Sequence, residues 1–178
     1  TYLRGQQPAP FDLLYWNSDS TRMTPANHSF YMRECYLKNM LALGEMALNG
    51  KTLDLKKITC PIYELATKED HIAPAKSVFK GLPLFGGPIT FVLAASGHIA
   101  GVVNPPSKNK YNYWTNDQIG ATLDAWTQGA EKHDGSWWPH WQAWLEKQNG
   151  EKVKARPVGS KDFPPLEAAP GSYVKIKG

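Results

Sequence analysis

The sequence predicts an α/β fold in which parallel strands are joined by a crossover helix. Two apolar runs of strand length lie at residues 62–67 and 89–94, and a short helical segment opened by a proline lies between them at 74–80. Strand, helix and strand in this order are typical of a parallel sheet covered on both faces. The chain has 178 residues, of which 42% are hydrophobic, so it can build such a core as one domain or a large part of one.

Turns and one long helix are predicted before the first strand. Residues 1–27 are rich in turn formers, with one apolar insert at 11–16. Apolar side chains then recur at steps of three and four residues, which predicts a helix over 28–48. Asn49 and Gly50, which follow, have the chemistry of a helix C-cap.

Two further helices and an extended tail are predicted after the second strand and a polar loop at 104–112. The apolar stripes fall on Ile119, Leu123, Trp126 and Ala130 for the first helix and, around Pro139, on Trp138, Trp141, Trp144 and Leu145 for the second. We interpret the tryptophans as core and covering surface rather than as a stacking platform for nucleic acid. Residues 150–178 are rich in proline and glycine, which predicts a tail along the surface.

Composition excludes several classes of protein. The net charge is +4, and its excess lies largely in the lysines of the tail, which we read as a solvated surface without assigned function. No window of about 18 apolar residues exists, so we predict no membrane span. Cys35 and Cys60 form neither a disulfide framework nor a zinc motif, and we expect both to be buried. The chain starts at Thr1, which we expect to be an internal residue of a longer protein.

The residues that follow the two strands are the candidates for chemistry. Asp70 comes just after the first strand, and His98 follows the second between glycines. The carboxyl ends of parallel strands meet at one edge of a sheet, where ligands bind. An aspartate there can orient a histidine that takes a proton from a nucleophile and returns it to a leaving group. The pair therefore predicts a catalytic acid and base.

Structural roles for the same residues stay open at this point. An aspartate after a strand can cap the next helix, and a histidine beside glycine can satisfy a loop carbonyl. His71 is a candidate for substrate binding or for a simple loop position. The sequence contains no nucleophile in a suitable setting, because Ser96 lacks the upstream glycine of a G-x-S-x-G elbow and the cysteines lack flanking glycines. A metal site is not predicted.

Several blocks of the sequence resemble class I polyhydroxyalkanoate synthases, which are polyester-forming enzymes. They are FDLLYWNSDST at 11–21, EDHIAP at 69–74, ASGHIAGVVNPP at 95–106, WTND at 114–117, GSWWP at 135–139 and, more weakly, PGSYVK at 170–175. Together these blocks cover most of residues 11–145 in the order of that family. Taken jointly they are specific.

The resemblance implies a fold and a domain organisation. The family is similar to lipases, with a cysteine in place of the serine of the lipase-like box. The chain would then be the C-terminal portion of an α/β-hydrolase fold with part of a cap subdomain. Residues 1–50 would belong to the cap and its entry segment, 51–150 to the hydrolase core, and 151–178 to an extended tail.

The resemblance also implies a reaction. Asp70 and His98 fall on the family's catalytic acid and base, and Asp70 would either orient His98 or activate the substrate hydroxyl for elongation. The cysteine lies upstream of this chain, which alone should be inactive. The enzyme would transfer (R)-3-hydroxyacyl groups from coenzyme A thioesters to a growing polyester through an acyl-cysteine, releasing coenzyme A and using no cofactor. The implied partners are the polymer granule, the upstream half of the protein and a second subunit, in the cytoplasm.

Two other functions remain as alternatives. A generic α/β-hydrolase, such as a thioesterase or esterase, would use the same acid and base. A non-enzymatic fragment would act only in dimerisation or at the granule surface. The residue in the upstream nucleophile box distinguishes the first alternative, since G-x-C-x-G favours the polymerase and G-x-S-x-G a hydrolase.

Overall fold

A computed structural model describes residues 3, 5, 16–18 and 20–176. The chain divides into two compact units, Thr1–Trp138 and Pro139–Gly178, which are described separately. Most of the resemblance block at 11–21 lies outside the described residues.

A broken helical segment precedes the sheet, so the prediction of one continuous helix over 28–48 was wrong. Helix α1 (Pro25–Phe30) begins at Thr24, whose side chain accepts a hydrogen bond from the Asn27 amide, and it continues as a π-helical segment, Tyr31–Leu37. Asn39 then adopts a left-handed conformation (φ 52°) before the short helix α2 (Met40–Leu43). Asparagine tolerates this conformation better than most residues, and the spacing of apolar residues along the chain does not reveal such a break in the helix.

A small hairpin occupies the end of the predicted helix. Strands β1 (Ala47–Leu48) and β2 (Lys51–Thr52) pair antiparallel. Asn49 and Gly50 connect them, both with positive φ (47° and 73°). Asn-Gly with two left-handed residues is the preferred two-residue turn of a hairpin. The prediction that Asn49 and Gly50 form a helix C-cap was therefore wrong, because the two residues form the turn of a hairpin.

The predicted parallel pair is confirmed. Strand β3 (Ile62–Thr67) pairs in parallel with β4 (Ile89–Ala94), in a register that runs from Ile62 opposite Ile89 to Thr67 opposite Ala94. The crossover contains helix α3 (Ala75–Gly81), one residue later than the segment predicted at 74–80. The carboxyl ends of both strands consequently lie at one edge of the sheet.

Two strands that the sequence did not predict extend the sheet. Strand β5 (Asn112–Thr115) pairs antiparallel with β4, and β6 (Glu131–Asp134) pairs antiparallel with β5, so the order is β3-β4-β5-β6. Strand β6 is short and charged, as edge strands often are, and therefore lacks an apolar signal. The helix predicted between them is present only as α4 (Leu123–Gln128).

The sheet carries a hydrophobic core on each face. On one face Phe79 of α3, Phe91 of β4 and Trp126 of α4 meet edge to face, with ring centroids 5.1 Å apart for Phe79 and Phe91 and 4.8 Å for Phe91 and Trp126. The predicted partners of Trp126, namely Ile119, Leu123 and Ala130, pack against this cluster. On the other face Val92 and Ala94 of β4 pack with Trp137. The reading of Trp126 as a core residue is confirmed, and Trp137, which neither predicted stripe included, is buried as well.

The second unit consists of one helix and an extended segment. Helix α5 (Trp138–Gln148) starts at the boundary between the units, where the sequence predicted a helix. Residues 149–176 contain no other element than a single 3-10 turn, Tyr173–Lys175. No described helix combines the length and the apolar composition needed to cross a membrane.

Candidate functional site

Two loops at the carboxyl edge of β3 and β4 form the candidate site. The strand pairing continues past both strands, because the Lys68 amide donates to the Ala94 carbonyl (2.8 Å) and the Glu69 amide to the Ser96 carbonyl (3.0 Å). The two loops therefore leave the sheet side by side. Asp70 and His98 lie one or two residues beyond these contacts.

Asp70 is fixed by its own loop. Its Oδ1 accepts hydrogen bonds from the backbone amides of Ile72 (2.8 Å) and Ala73 (2.9 Å), and Thr67 Oγ1 lies 3.4 Å from Oδ2. The side chain is only 7% exposed. This is the local turn that aspartate forms with the amides two and three residues ahead.

These contacts keep the Asp70 carboxyl ionised. Its pKa is lowered from 3.8 to about 2. The hydrogen bond from the Ala73 amide contributes most, followed by that from the His98 ring; loss of solvent opposes the shift, and the Ile72 amide supports it. All of these donors stabilise the charged form, which can only accept hydrogen bonds.

His98 meets Asp70 directly. The distance from His98 Nδ1 to Asp70 Oδ2 is 2.8 Å, and the imidazole is 48% exposed. Because an ionised carboxylate has no hydrogen to donate, Nδ1 must carry the proton. The other ring nitrogen, Nε2, is then the one available to an incoming group. The two residues that the sequence placed at this edge are thus brought together in the geometry of an acid and a base.

The turn after His98 depends on glycine at one position. A Cβ on Gly101 would lie 2.5 Å from the Ala95 carbonyl oxygen and 2.7 Å from Thr67 Cγ2, closer than side-chain atoms can approach. The left-handed residue of this loop is Ser96 (φ 71°) rather than a glycine. Gly101 is therefore needed for close packing rather than for a left-handed backbone conformation.

His71 is not part of the pair. It is exposed, and it forms no hydrogen bond or ion pair with any residue that the structure describes. Its assignment to substrate binding stays a prediction.

The two cysteines differ from expectation and do not complete the site. Cys35 is half-buried and Cys60 is exposed, so the prediction that both are buried was wrong. Cys60 precedes β3, whereas Asp70 follows it, and a six-residue strand separates the two edges by about 20 Å. Within the described ranges, no group of three His, Cys, Asp or Glu side chains could hold a metal ion.

Sequence reasoning missed the residues that hold the turn after His98. The Nε1 atoms of Trp137 and Trp138 donate hydrogen bonds to backbone carbonyls of that turn. The signal that could have found them is the GSWWP block at 135–139, which served only for the family resemblance and, at Trp138, as part of an apolar stripe.

The fold and the pair define an α/β protein with a carboxylate and a histidine at the carboxyl edge of adjacent parallel strands. No family model matches the chain. Curated relatives, however, match it over almost its whole length. It is 58% identical over 99% of its residues to "Poly(3-hydroxyalkanoate) polymerase subunit PhaC" of Rhizobium meliloti. It is 55% identical over 99% to "Poly(3-hydroxyalkanoate) polymerase" of Methylorubrum extorquens and 45% identical over 99% to the PhaC subunit of Cupriavidus necator.

This chain belongs to the poly(3-hydroxyalkanoate) polymerase family, and the resemblance seen in the sequence is confirmed. It spans 29%, 29% and 30% of the lengths of these three relatives.

Proposed function

We propose that this chain supplies the acid and the base of a polyester synthase, within the C-terminal portion of an α/β-hydrolase fold. The proposal rests on the 2.8 Å contact between His98 Nδ1 and Asp70 Oδ2 in a chain similar to poly(3-hydroxyalkanoate) polymerases. The substrate is an (R)-3-hydroxyacyl coenzyme A thioester, and the nucleophile is a cysteine outside this chain.

His98 is the general base of the first half-reaction. Its Nε2 takes the proton of the cysteine thiol, and the sulfur attacks the thioester carbonyl. The bond to the coenzyme A sulfur breaks, and the leaving thiolate receives the proton from the imidazolium. An acyl-cysteine and free coenzyme A result, and no cofactor is needed.

Chain growth repeats the same proton transfers with an alcohol. A 3-hydroxyl group attacks the acyl-cysteine carbonyl while His98 takes the hydroxyl proton. The new ester bond forms, the carbon–sulfur bond breaks, and His98 returns the proton to the cysteine. Exclusion of water from the site favours this ester over hydrolysis of the acyl-enzyme.

Asp70 acts through His98 rather than on the substrate hydroxyl. Both of its oxygens are engaged, Oδ1 by two backbone amides and Oδ2 by the imidazole, and the side chain is 7% exposed. A carboxylate in this setting holds the tautomer of the histidine and stabilises the imidazolium. These contacts support an orienting role over direct activation of the alcohol.

The other segments of the chain are assigned to three parts of the synthase. Residues 1–50 form part of a cap, 51–150 the core and 151–178 an extended tail. Tyr36 and Leu37 of the proposed cap are 70% and 78% exposed, which supports a surface that contacts another part of the protein or a second subunit. The enzyme works as a homodimer at the surface of polymer granules in the cytoplasm.

The test uses the full-length protein that carries this segment. We expect His98→Ala to lower coenzyme A release from 3-hydroxybutyryl-CoA by at least about a hundredfold, because the general base is lost. His133→Ala is the matched control: this histidine lies in β6 and contacts Thr115 Oγ1 (2.8 Å) instead of Asp70. It should retain activity in proportion to its folded fraction.

The products separate the alternatives. Polymer formed by the wild type supports the synthase, while release of free 3-hydroxybutyrate alone would indicate a hydrolase with the same acid and base. Unchanged activity of His98→Ala would overturn the catalytic proposal and leave a non-enzymatic role.

A further inference from the structure

Two neighbouring indole rings hold the turn that follows His98. The Nε1 of Trp138 donates to the Val102 carbonyl (2.9 Å). The Nε1 of Trp137 is shared between the carbonyls of Gly101 and Val102, at 3.2 Å from each. These carbonyls lie three and four residues after His98. The turn itself is closed by hydrogen bonds from the amides of Gly101, Val102 and Val103.

The ring of Trp137 is anchored in the sheet that carries the site. It is 8% exposed and packs against Val92 and Ala94 of β4, the strand that leads into His98. It also stacks on Tyr63 of β3, with ring centroids 6.1 Å apart and an angle of 29° between the planes. The turn is therefore attached through Trp137 to both strands that deliver the acid and the base.

The backbone before the tryptophans sets the direction of both rings. Gly135 has φ 88°, and a Cβ there would lie 2.7 Å from Asn109 Oδ1, so this position requires glycine. Its amide donates to the Tyr111 carbonyl (2.9 Å), and Ser136 Oγ accepts from the Trp138 amide (3.1 Å). Each residue of the Gly-Ser-Trp-Trp run thus has a contact that contributes to the position of the indoles.

The imidazole needs such support from its backbone. Asp70 is the one hydrogen-bond partner of the His98 ring among the described residues, and the ring is 48% exposed. Its distance from Asp70 is consequently set by where the turn places its Cα. We propose that Trp137 and Trp138 are positioning residues that hold the 98–103 turn so that His98 keeps its contact with Asp70. The inference rests on the proposed function of this pair.

Hydrogen exchange tests the positioning directly, without reference to activity. In the full-length protein, the double variant Trp137→Phe/Trp138→Phe keeps aromatic rings at both positions and removes both N–H donors. We expect exchange of the amides of the 98–103 turn to become at least about tenfold faster, as measured by mass spectrometry of peptides covering it. The single variant Trp138→Phe, at the less buried ring, should give a smaller change of the same sign.

Trp126→Phe is the matched control. Trp126 is 1% exposed in the core on the opposite face of the sheet, and its Nε1 donates to the Asn116 carbonyl (3.3 Å). Its replacement removes the same N–H from another buried indole and should leave exchange in the 98–103 turn unchanged. Equal acceleration in both variants would mean a general loss of stability and would overturn the positioning role, as would unchanged exchange in the double variant.

Kinetics then separate this inference from the proposed function. For the double variant we expect kcat to fall about tenfold with KM within about twofold, since a misplaced base affects the reaction more than binding. If His98→Ala abolishes activity while the double variant exchanges and reacts like the wild type, the proposed function stands and the positioning role falls. If His98→Ala stays active, the proposed function falls, while the exchange result still decides whether the indoles hold the turn.

Discussion

The two loops of the candidate site are held in place by different means. The Asp70 loop is organised locally, because its carboxylate binds the amides of the next residues, Ile72 and Ala73. The His98 loop is held by contacts from elsewhere in the chain, through Trp137 and the close packing of Gly101. A short sequence motif can therefore specify the position of the carboxylate almost alone, whereas the position of the imidazole requires the assembled sheet.

Replacing Asp70 should have the largest effect on activity, and it tests the loop that is organised locally. Asp70→Asn keeps the size of the side chain, but its amide can present an N–H where Oδ2 now accepts from His98. The imidazole then loses the partner that fixes its tautomer, and we expect turnover to fall by about a hundredfold or more. Steady-state coenzyme A release from 3-hydroxybutyryl-CoA measures this, with burst kinetics for acylation. Normal elongation in Asp70→Asn would remove the carboxylate from the mechanism.

Adding a methyl group at Gly101 should have an intermediate effect, and it tests the packing that holds the His98 loop. The Cβ of Gly101→Ala would collide with the Ala95 carbonyl and the Thr67 methyl. The turn must then move, which we expect to lower the free energy of unfolding by about 1–3 kcal/mol. We expect about tenfold slower turnover. In the control Gly97→Ala, the Cβ meets only the Glu69 carbonyl at 3.8 Å, an ordinary contact. Thermal unfolding and steady-state kinetics of the two variants measure the difference. Equal effects of Gly101→Ala and Gly97→Ala would show that the packing of Gly101 is unimportant.

The pH dependence of stability should show the smallest effect, and it tests the hydrogen bonds that Asp70 forms within its own loop. A carboxyl whose pKa is lowered from 3.8 to about 2 stabilises the folded state fully above its ordinary pKa, and this contribution is lost as the pH falls towards 2. Asp70→Asn lacks the contribution, so its unfolding should depend less steeply on pH between about 5 and 2.5. Denaturant unfolding across this range measures the difference. Identical pH dependence in both proteins would show that the carboxyl titrates normally.

Local sequence signals located some elements and missed others for a physical reason. β4 is a largely buried apolar strand and β3 is a half-buried one, and both were predicted with the observed bounds. β5 and β6 were missed because short strands near a sheet edge need neither apolar runs nor alternation, and their pairing is decided by the strand beside them. Asn49-Gly50 was assigned to the wrong element because a left-handed pair suits both a helix end and a hairpin.

The sequence by itself determined that the site contains a carboxylate and an imidazole and that each follows one of two parallel strands. Asp70 and His98 lie on either side of a crossover helix in the sequence, so both fall at the carboxyl edge of the sheet. The sequence also determined the family, through motifs spread along the chain. Only the tertiary structure decided that the carboxylate and the imidazole meet at 2.8 Å and that Trp137 reaches the turn after His98 from more than thirty residues away. Such contacts depend on how the faces of the sheet pack, which periodicity and propensity along the chain do not encode.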